Sequence, residues 1–204
     1  MPHLILPAAN LKRIIRQRRR ACADRKDEVW NGVYVMPPMA NNEHQRMVMG
    51  LCAHLGEVLG ETATVLPGAN VSDRGDDWEH NYRCPDVVVV LAGGLAIDRG
   101  THWQGGPDFL VEVMSPGDDT MAKLPFYAQL GVREVLVVER DTRAPALYRL
   151  ARGRLAPARP ADVGGEPYLV SGVVPLAFRR VESKKQGPRL EVRRTAGRRK
   201  VWLV

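Results

Sequence analysis

The sequence predicts a chain of the α/β class in its α+β form, a central mixed β-sheet flanked by helices. Three observations carry this. Two nearly continuous apolar runs of strand length, Val87 to Leu91 and Phe109 to Met114, suit strands buried on both faces. The second run breaks at Ser115-Pro116-Gly117, continues as a helix to about Leu130 and returns as a strand at Glu134, a strand-helix-strand unit. Hairpins and one long helix surround that unit instead of further alternating units, which argues for a mixed sheet and against a doubly wound parallel one. No G-x-G-x-x-G follows a strand, which argues against a dinucleotide fold.

Taken in order, residues 1–26 read as a basic N-terminal arm. Leu11 to Ala23 suits a basic helix with Leu11, Ile14 and Ile15 as a narrow apolar stripe, a disordered arm or an address signal. Residues 27–182 form the expected folded domain. Glu28 to Met36 is a hairpin around Asn31-Gly32, the residue pair that best tolerates a two-residue turn. Asn41 or Asn42 caps a helix to Leu59, with Gly60 as its stop and His44, Val48, Leu51, Leu55 and Leu59 on one stripe. Thr62 to Leu66 is a strand, and 67–82 and 92–106 read as loops. Asp118, Asp119 and Thr120 suit the start of the central helix, and Gly131 suits its end. A hairpin follows around Arg152-Gly153, and Val173 to Phe178 closes the domain. In the C-terminal extension, 183–204, Leu190–Arg194 and Lys200–Leu203 either pair or stay disordered.

The 204 residues are enough for one domain with a sizeable core. The net charge of +7 hides a split. Residues 1–26 carry 8 Lys+Arg against 1 acid, residues 27–177 carry 12 against 20, and residues 178–204 carry 10 against 2. An acidic body with basic ends suits polyanion binding, solubility or salt bridges between subunits, and the last of these raises the expectation of a homo-oligomer, a dimer. No apolar run approaches the ~20 residues of a membrane span, and no secretory signal pattern is present. Cys22, Cys52 and Cys84 are far apart and odd in number, which suits a reducing cytoplasm and neither a zinc site nor a disulfide framework.

Glu112 needs a chemical explanation. A carboxylate inside a buried strand is costly unless it is paired, hydrogen-bonded or bound to metal. A structural salt bridge satisfies it, but the neighbouring apolar strand also carries one acid, Asp86. Downstream, Lys123 lies on the helix with Tyr127 one turn on. Two carboxylates and an ammonium are the components of metal-assisted phosphodiester hydrolysis.

Arg83 to Val90, then Pro107 to Pro116, then Lys123, Tyr127 and Gly131-Val132 at the spacing K-x3-Y-x3-G-V, resemble the PD-(D/E)XK nuclease superfamily and more closely its Uma-two family of restriction-endonuclease-like proteins. The resemblance covers roughly 27–182 and implies a restriction-endonuclease-like fold and a Mg²⁺- or Mn²⁺-dependent endonuclease acting on nucleic acid, with DNA the expected substrate. Asp86, Glu112 and the backbone carbonyl of Val113 would be metal ligands. The superfamily's lysine, two residues after the acid, is replaced here by Met114, and the resemblance points to Lys123 as a migrated substitute. It also marks Glu28 and His44 as supporting catalytic residues, while Asp108, which shares the strand face of Glu112, is expected from that alternation as a further helper. The absence of the lysine at Met114 keeps a second expectation open, a catalytically inactive scaffold that binds nucleic acid or protein.

Overall fold

In a computed structural model, which describes residues 8–22, 24–37, 40–184 and 187–204, the two apolar runs lie side by side in the middle of a six-stranded sheet. The first described elements are helix α1 (Ala8–Arg20) and the hairpin β1 (Glu28–Trp30) and β2 (Val33–Val35). Helix α2 (Asn42–Leu59) leads to β3 (Ala63–Pro67), β4 (Val71–Ser72), β5 (Tyr82–Arg83) and β6 (Val87–Leu91). Short strands β7 (Ile97–Asp98) and β8 (Trp103–Gln104) precede β9 (Phe109–Met114), helix α3 (Thr120–Leu130) and β10 (Glu134–Glu139). The remaining described elements are strands: β11 (Pro145–Ala151), β12 (Arg154–Pro157), β13 (Ala161–Asp162), β14 (Pro167–Val170), β15 (Leu176–Ser183), β16 (Gly187–Arg194) and β17 (Val201–Leu203).

The central sheet has the order β12-β11-β10-β9-β6-β3. β9 and β10 are parallel across the α3 connection, and every other neighbouring pair is antiparallel. The expected mixed sheet is therefore present. Two further sheets, β2-β1-β5-β4-β8-β7 and β13-β14-β15-β16-β17, complete the fold. Four strands of the first, β4, β5, β7 and β8, are two residues long and fall in or beside the segments expected to be loops. A strand that short has no room for an alternating pattern.

Alternation along β6 and β9 divides the core in two. Val87, Val89, Phe109, Val111 and Val113 face Met47, Val48, Leu51 and Leu55 of α2, together with Leu176, Phe178, Leu190 and Val192 from the C-terminal strands. Val88, Val90 and Leu110 pack with Leu124, Phe126 and Tyr127 of α3. Burying each large side chain of this kind contributes about 1.5–3 kcal/mol. The periodic stripe of α2 is seen as expected, and the Asn41 side chain caps it by accepting the His44 N–H at 2.9 Å. α3 starts where expected, at Thr120 with Asp119 in the N-cap position, although the Asp119 side chain makes no cap hydrogen bond. Its end agrees, with Gly131 left-handed at φ 86°.

The hairpin turn is Asn31-Gly32, with φ of 49° and 83°. Residues 187–204 form strands, β16 pairing with β17, and supply Leu190 and Val192 to the main core. The basic ends meet acids of the body: Arg18 holds Asp27 at 2.5 Å, Arg19 reaches Glu79 at 3.2 Å, and Lys200 reaches Glu57 at 2.5 Å. The Leu11 side chain and Ala23, part of the expected N-terminal helix, lie outside the described residues. Among the described residues no helix is long and apolar enough to cross a membrane.

Candidate active site

The site stands where the pairing of β6 with β9 ends. Val87 and Val111 are the last paired residues, so one step further along each strand Asp86 and Glu112 come opposite one another. Both continue the α3-facing rows, behind Val88 and Leu110. With the ladder ended, the Val113 N–H has no strand partner on the β6 side. It donates to Asp86 Oδ2 at 2.8 Å instead.

Four elements hold the two acids. From α2, His44 Nε2 lies 3.1 Å from Asp86 Oδ2. From the segment before β1, Lys26 Nζ lies 3.4 Å from Asp86 Oδ1. From α3, Lys123 Nζ lies 3.2 and 3.3 Å from the two Glu112 oxygens, and the Tyr127 hydroxyl donates to Glu112 Oε1 at 2.5 Å. From β1, Glu28 Oε1 lies 2.9 Å from the same Lys123 ammonium. Glu28 is fixed in turn by the Trp30 indole N–H at 2.7 Å and the Cys84 backbone N–H at 3.0 Å. Three buried carboxylates thus share two ammonium groups. Lys123 is 12% exposed at its side chain, whereas Lys26, at 42%, forms the outer edge.

The electrostatics follow from burial and from those neighbours. Burial pushes Asp86 up, but the His44 hydrogen bond, Lys26 and the Val113 N–H outweigh it, and its pKa is lowered. Burial also raises Glu112. Lys123 opposes the rise, the nearby Asp86 and Glu28 charges add to it, and the carboxyl is pushed up to about 7. Burial works against a charged Lys123, yet Glu112 and Glu28 more than offset it, so the ammonium is strengthened. Tyr127, buried and beside Glu112, is raised well above the usual phenol value.

The five residues singled out as catalytic candidates, Asp86, Glu112, Lys123, His44 and Glu28, are therefore brought together. Asp108 is not. It lies four residues, about 13 Å, along the strand from Glu112, and it is engaged by Arg133 at 3.1 Å and by the Leu91 N–H at 2.9 Å. Lys26 carries no signal of its own in the sequence, because it ends a run of basic residues in which no single one stands out. Trp30 gave no signal at all, since an indole in a three-residue strand suggests packing. Tyr127 was visible at its helical spacing from Lys123, but its hydrogen bond to Glu112 was not.

A divalent ion fits this donor set by chemistry. Asp86 and Glu112 are hard oxygen donors converging at a strand end, as Mg²⁺ and Mn²⁺ require. Among the described residues no three His, Cys, Asp or Glu side chains group closely enough to hold an ion by themselves. A third donor would have to be a backbone oxygen, the role the resemblance gives to Val113. The His44 Nδ1 atom is buried without a hydrogen-bond partner, so this ring is held only from the Asp86 side.

A mixed sheet with a parallel strand-helix-strand unit, and acids gathered at the end of its paired strands, is a restriction-endonuclease-like nuclease fold. Residues 17–179 match the family model Uma2, described as "Putative restriction endonuclease", and the chain belongs to that family. A crystal structure described as that of "a putative nuclease belonging to DUF820 from Anabaena variabilis" superposes with a TM-score of 0.53 at 14% identity, covering 67% of this chain and 79% of that one. At that identity the likeness speaks for the fold. No curated protein matches the sequence.

Proposed function

We propose that the protein is a metal-dependent nuclease that hydrolyses phosphodiester bonds of nucleic acid, with DNA as its substrate. The observation that carries this is the position of Lys123, whose ammonium lies between Glu28 and Glu112 beside Asp86. It supplies from the helix the charge that Met114 cannot supply from the strand. Asp86, Glu112 and the Val113 carbonyl would hold Mg²⁺ or Mn²⁺, which when bound polarises the phosphate and lowers the pKa of a bound water. Lys123 presents N–H donors to the attacking water and to the charge developing on phosphate. Glu28 keeps that ammonium aimed at Glu112. His44 and the Val113 N–H both hold Asp86 Oδ2, which leaves Oδ1 facing the outer edge beside Lys26.

The test is Mg²⁺-dependent cleavage of plasmid and single-stranded DNA. Asp86→Ala and Glu112→Ala are each expected to abolish cleavage while circular dichroism shows a retained fold. Full activity in both variants overturns the mechanism. A second reading, the inactive scaffold, is favoured by the way Lys26 and Lys123 already cover oxygens of both acids. Calorimetric titration separates the two, because a scaffold takes up neither Mg²⁺ nor Mn²⁺.

A further inference from the structure

We propose that the cavity between the β1–β2 hairpin and α3 is a nucleobase subsite, which takes one unstacked base of the strand whose phosphodiester lies at Asp86 and Glu112. The inference rests on the nuclease reading and deepens it, because it names the form of substrate the site accepts.

The cavity is large, about 560 Å³, ample for a base and its sugar. One residue joins it to the acid cluster. Trp30 lines the cavity, and its indole N–H donates to Glu28, which holds Lys123. Glu28 and Trp30 are two apart on β1 and so share a face of the strand. The same division is built into α3. Lys123 and Tyr127 turn toward Glu112, while Asp119, Ala122, Phe126 and Gln129, at helical spacing on the adjacent face, line the cavity. Catalytic centre and cavity are therefore neighbours across a single aromatic wall.

The lining matches a heteroaromatic ring with a polar edge. The guanidinium of Arg83 lies over the Trp30 and Phe126 rings, 4.5 and 4.2 Å from their centroids, and all three residues line the cavity. Arg83 is 4% exposed, and its Nε is buried without a hydrogen-bond partner. A donor left unpaired in a buried cation calls for an acceptor. Asn31 sits at the rim beside Val33, an exposed valine (64%) that offers apolar contact. Gln129 contributes a second amide, and each amide can donate and accept, as the edge of any base demands. Enzymes that work on nucleic acid take bases out of the stack in this way, into pockets that combine stacking faces with polar edge contacts.

The test measures binding by fluorescence anisotropy, with the full chain and a labelled single strand in Ca²⁺ buffer, so that cleavage is not needed. A series of strands carries one abasic position each, scanned along the sequence. Loss of a stacked base is worth roughly a tenfold or greater drop in affinity. Such a drop is expected at one abasic position and at no other. Ala122→Trp, which fills the cavity, and Gln129→Leu, a milder change on the same exposed helix face, are expected to weaken the intact strand by a similar factor. Neither is expected to affect the strand that is abasic at that position. Equal binding of all abasic strands, or equal weakening of intact and abasic strands by both variants, overturns the subsite and leaves the nuclease reading standing. Absence of any nucleic-acid binding refutes that reading, and the subsite with it.

Discussion

Replacing Lys123 with Met tests the buried ion cluster most directly. Met keeps nearly the length and apolar character of the lysine stem while deleting the charge. In the wild type that charge is shared by Glu28 at 2.9 Å and Glu112 at 3.2 Å, and both acids are about 4% exposed at their side chains. Removing one partner from a buried ion pair costs about 3–5 kcal/mol, because the remaining charge is left unpaired. Here two carboxylates lose the same partner, so the upper part of that range is expected at pH 8. The loss must depend on pH. Glu112 is already held up at about 7 by burial and by its acid neighbours, and deleting the ammonium raises it further. A carboxyl with a raised folded-state pKa is disfavoured only when ionised. The part of the loss that Glu112 carries is therefore absent below the wild-type value of about 7, where the carboxyl is neutral in both proteins, and grows as pH rises through it toward the still higher value in the variant. Urea unfolding followed by circular dichroism, at pH 8 and at pH 5.5, measures both numbers. Adding Glu112→Gln to Lys123→Met should recover part of the loss at pH 8, a coupling of about 1–3 kcal/mol. A loss below about 1 kcal/mol, or an equal loss at both pH values, would refute the picture of two buried acids dependent on one ammonium.

Three further outcomes follow from the same structure. Leu55, 1% exposed on the buried face of α2, is expected to cost about 2–5 kcal/mol when changed to Ala, read as a lower urea midpoint with unchanged slope. Burial pushes the Cys84 thiol up to about 11, so at pH 8 roughly a thousandth of it is thiolate, and iodoacetamide should label exposed Cys22 while Cys84 stays unmodified until the protein unfolds. Mass spectrometry of the alkylated peptides reads this, and early labelling of Cys84 would count against its burial. Gly106→Ala should lower the melting temperature, because a Cβ there would lie 2.6 Å from the Leu130 carbonyl and from the backbone of Gly131 and Val132, where no flexible side chain can give way.

Much of this fold was legible because its central elements follow strong periodic rules. The apolar runs at Val87 and Phe109, the stripe of α2, the Asn31-Gly32 turn and the Gly131 stop are local signals, and each appears where expected. Two-residue strands such as Val71–Ser72 and Trp103–Gln104 exist through their neighbours alone. The site divides the same way. Asp86 and Glu112 were visible as charges that interrupt apolar strands. Their convergence depends on register, and the pairing of Val87 with Val111 sets that register through contacts remote in sequence. Asp108 shows the limit of face-sharing arguments. It lies on the same face as Glu112, but a strand separates residues along its length as well as by side, and Arg133 and Leu91 hold it elsewhere.

The substitution at Met114 becomes intelligible once the cluster is viewed in space. A lysine on the strand, two residues beyond the acid, would bring its ammonium to the carboxylate from the side along β9. Lys123 brings it from above, from a helix whose next turn also carries the Tyr127 hydroxyl to the same oxygen. That second arrangement ties the ammonium to Glu28 as well, so the helix, β9 and the N-terminal hairpin are locked through one charged atom. The resulting balance, three carboxylates against two ammonium groups with Glu112 titrating near neutrality, keeps the unliganded cluster close to electroneutral and therefore tolerable inside the protein. On the proposed nuclease reading, a dication held by these acids would displace the exposed Lys26 from Asp86 Oδ1, take the proton from Glu112, or both. Lys26 is the cheaper to move, since its side chain is already 42% in water. On the proposed nuclease reading, the residue that closes the outer edge of the cluster would then be the one to turn outward toward a phosphate.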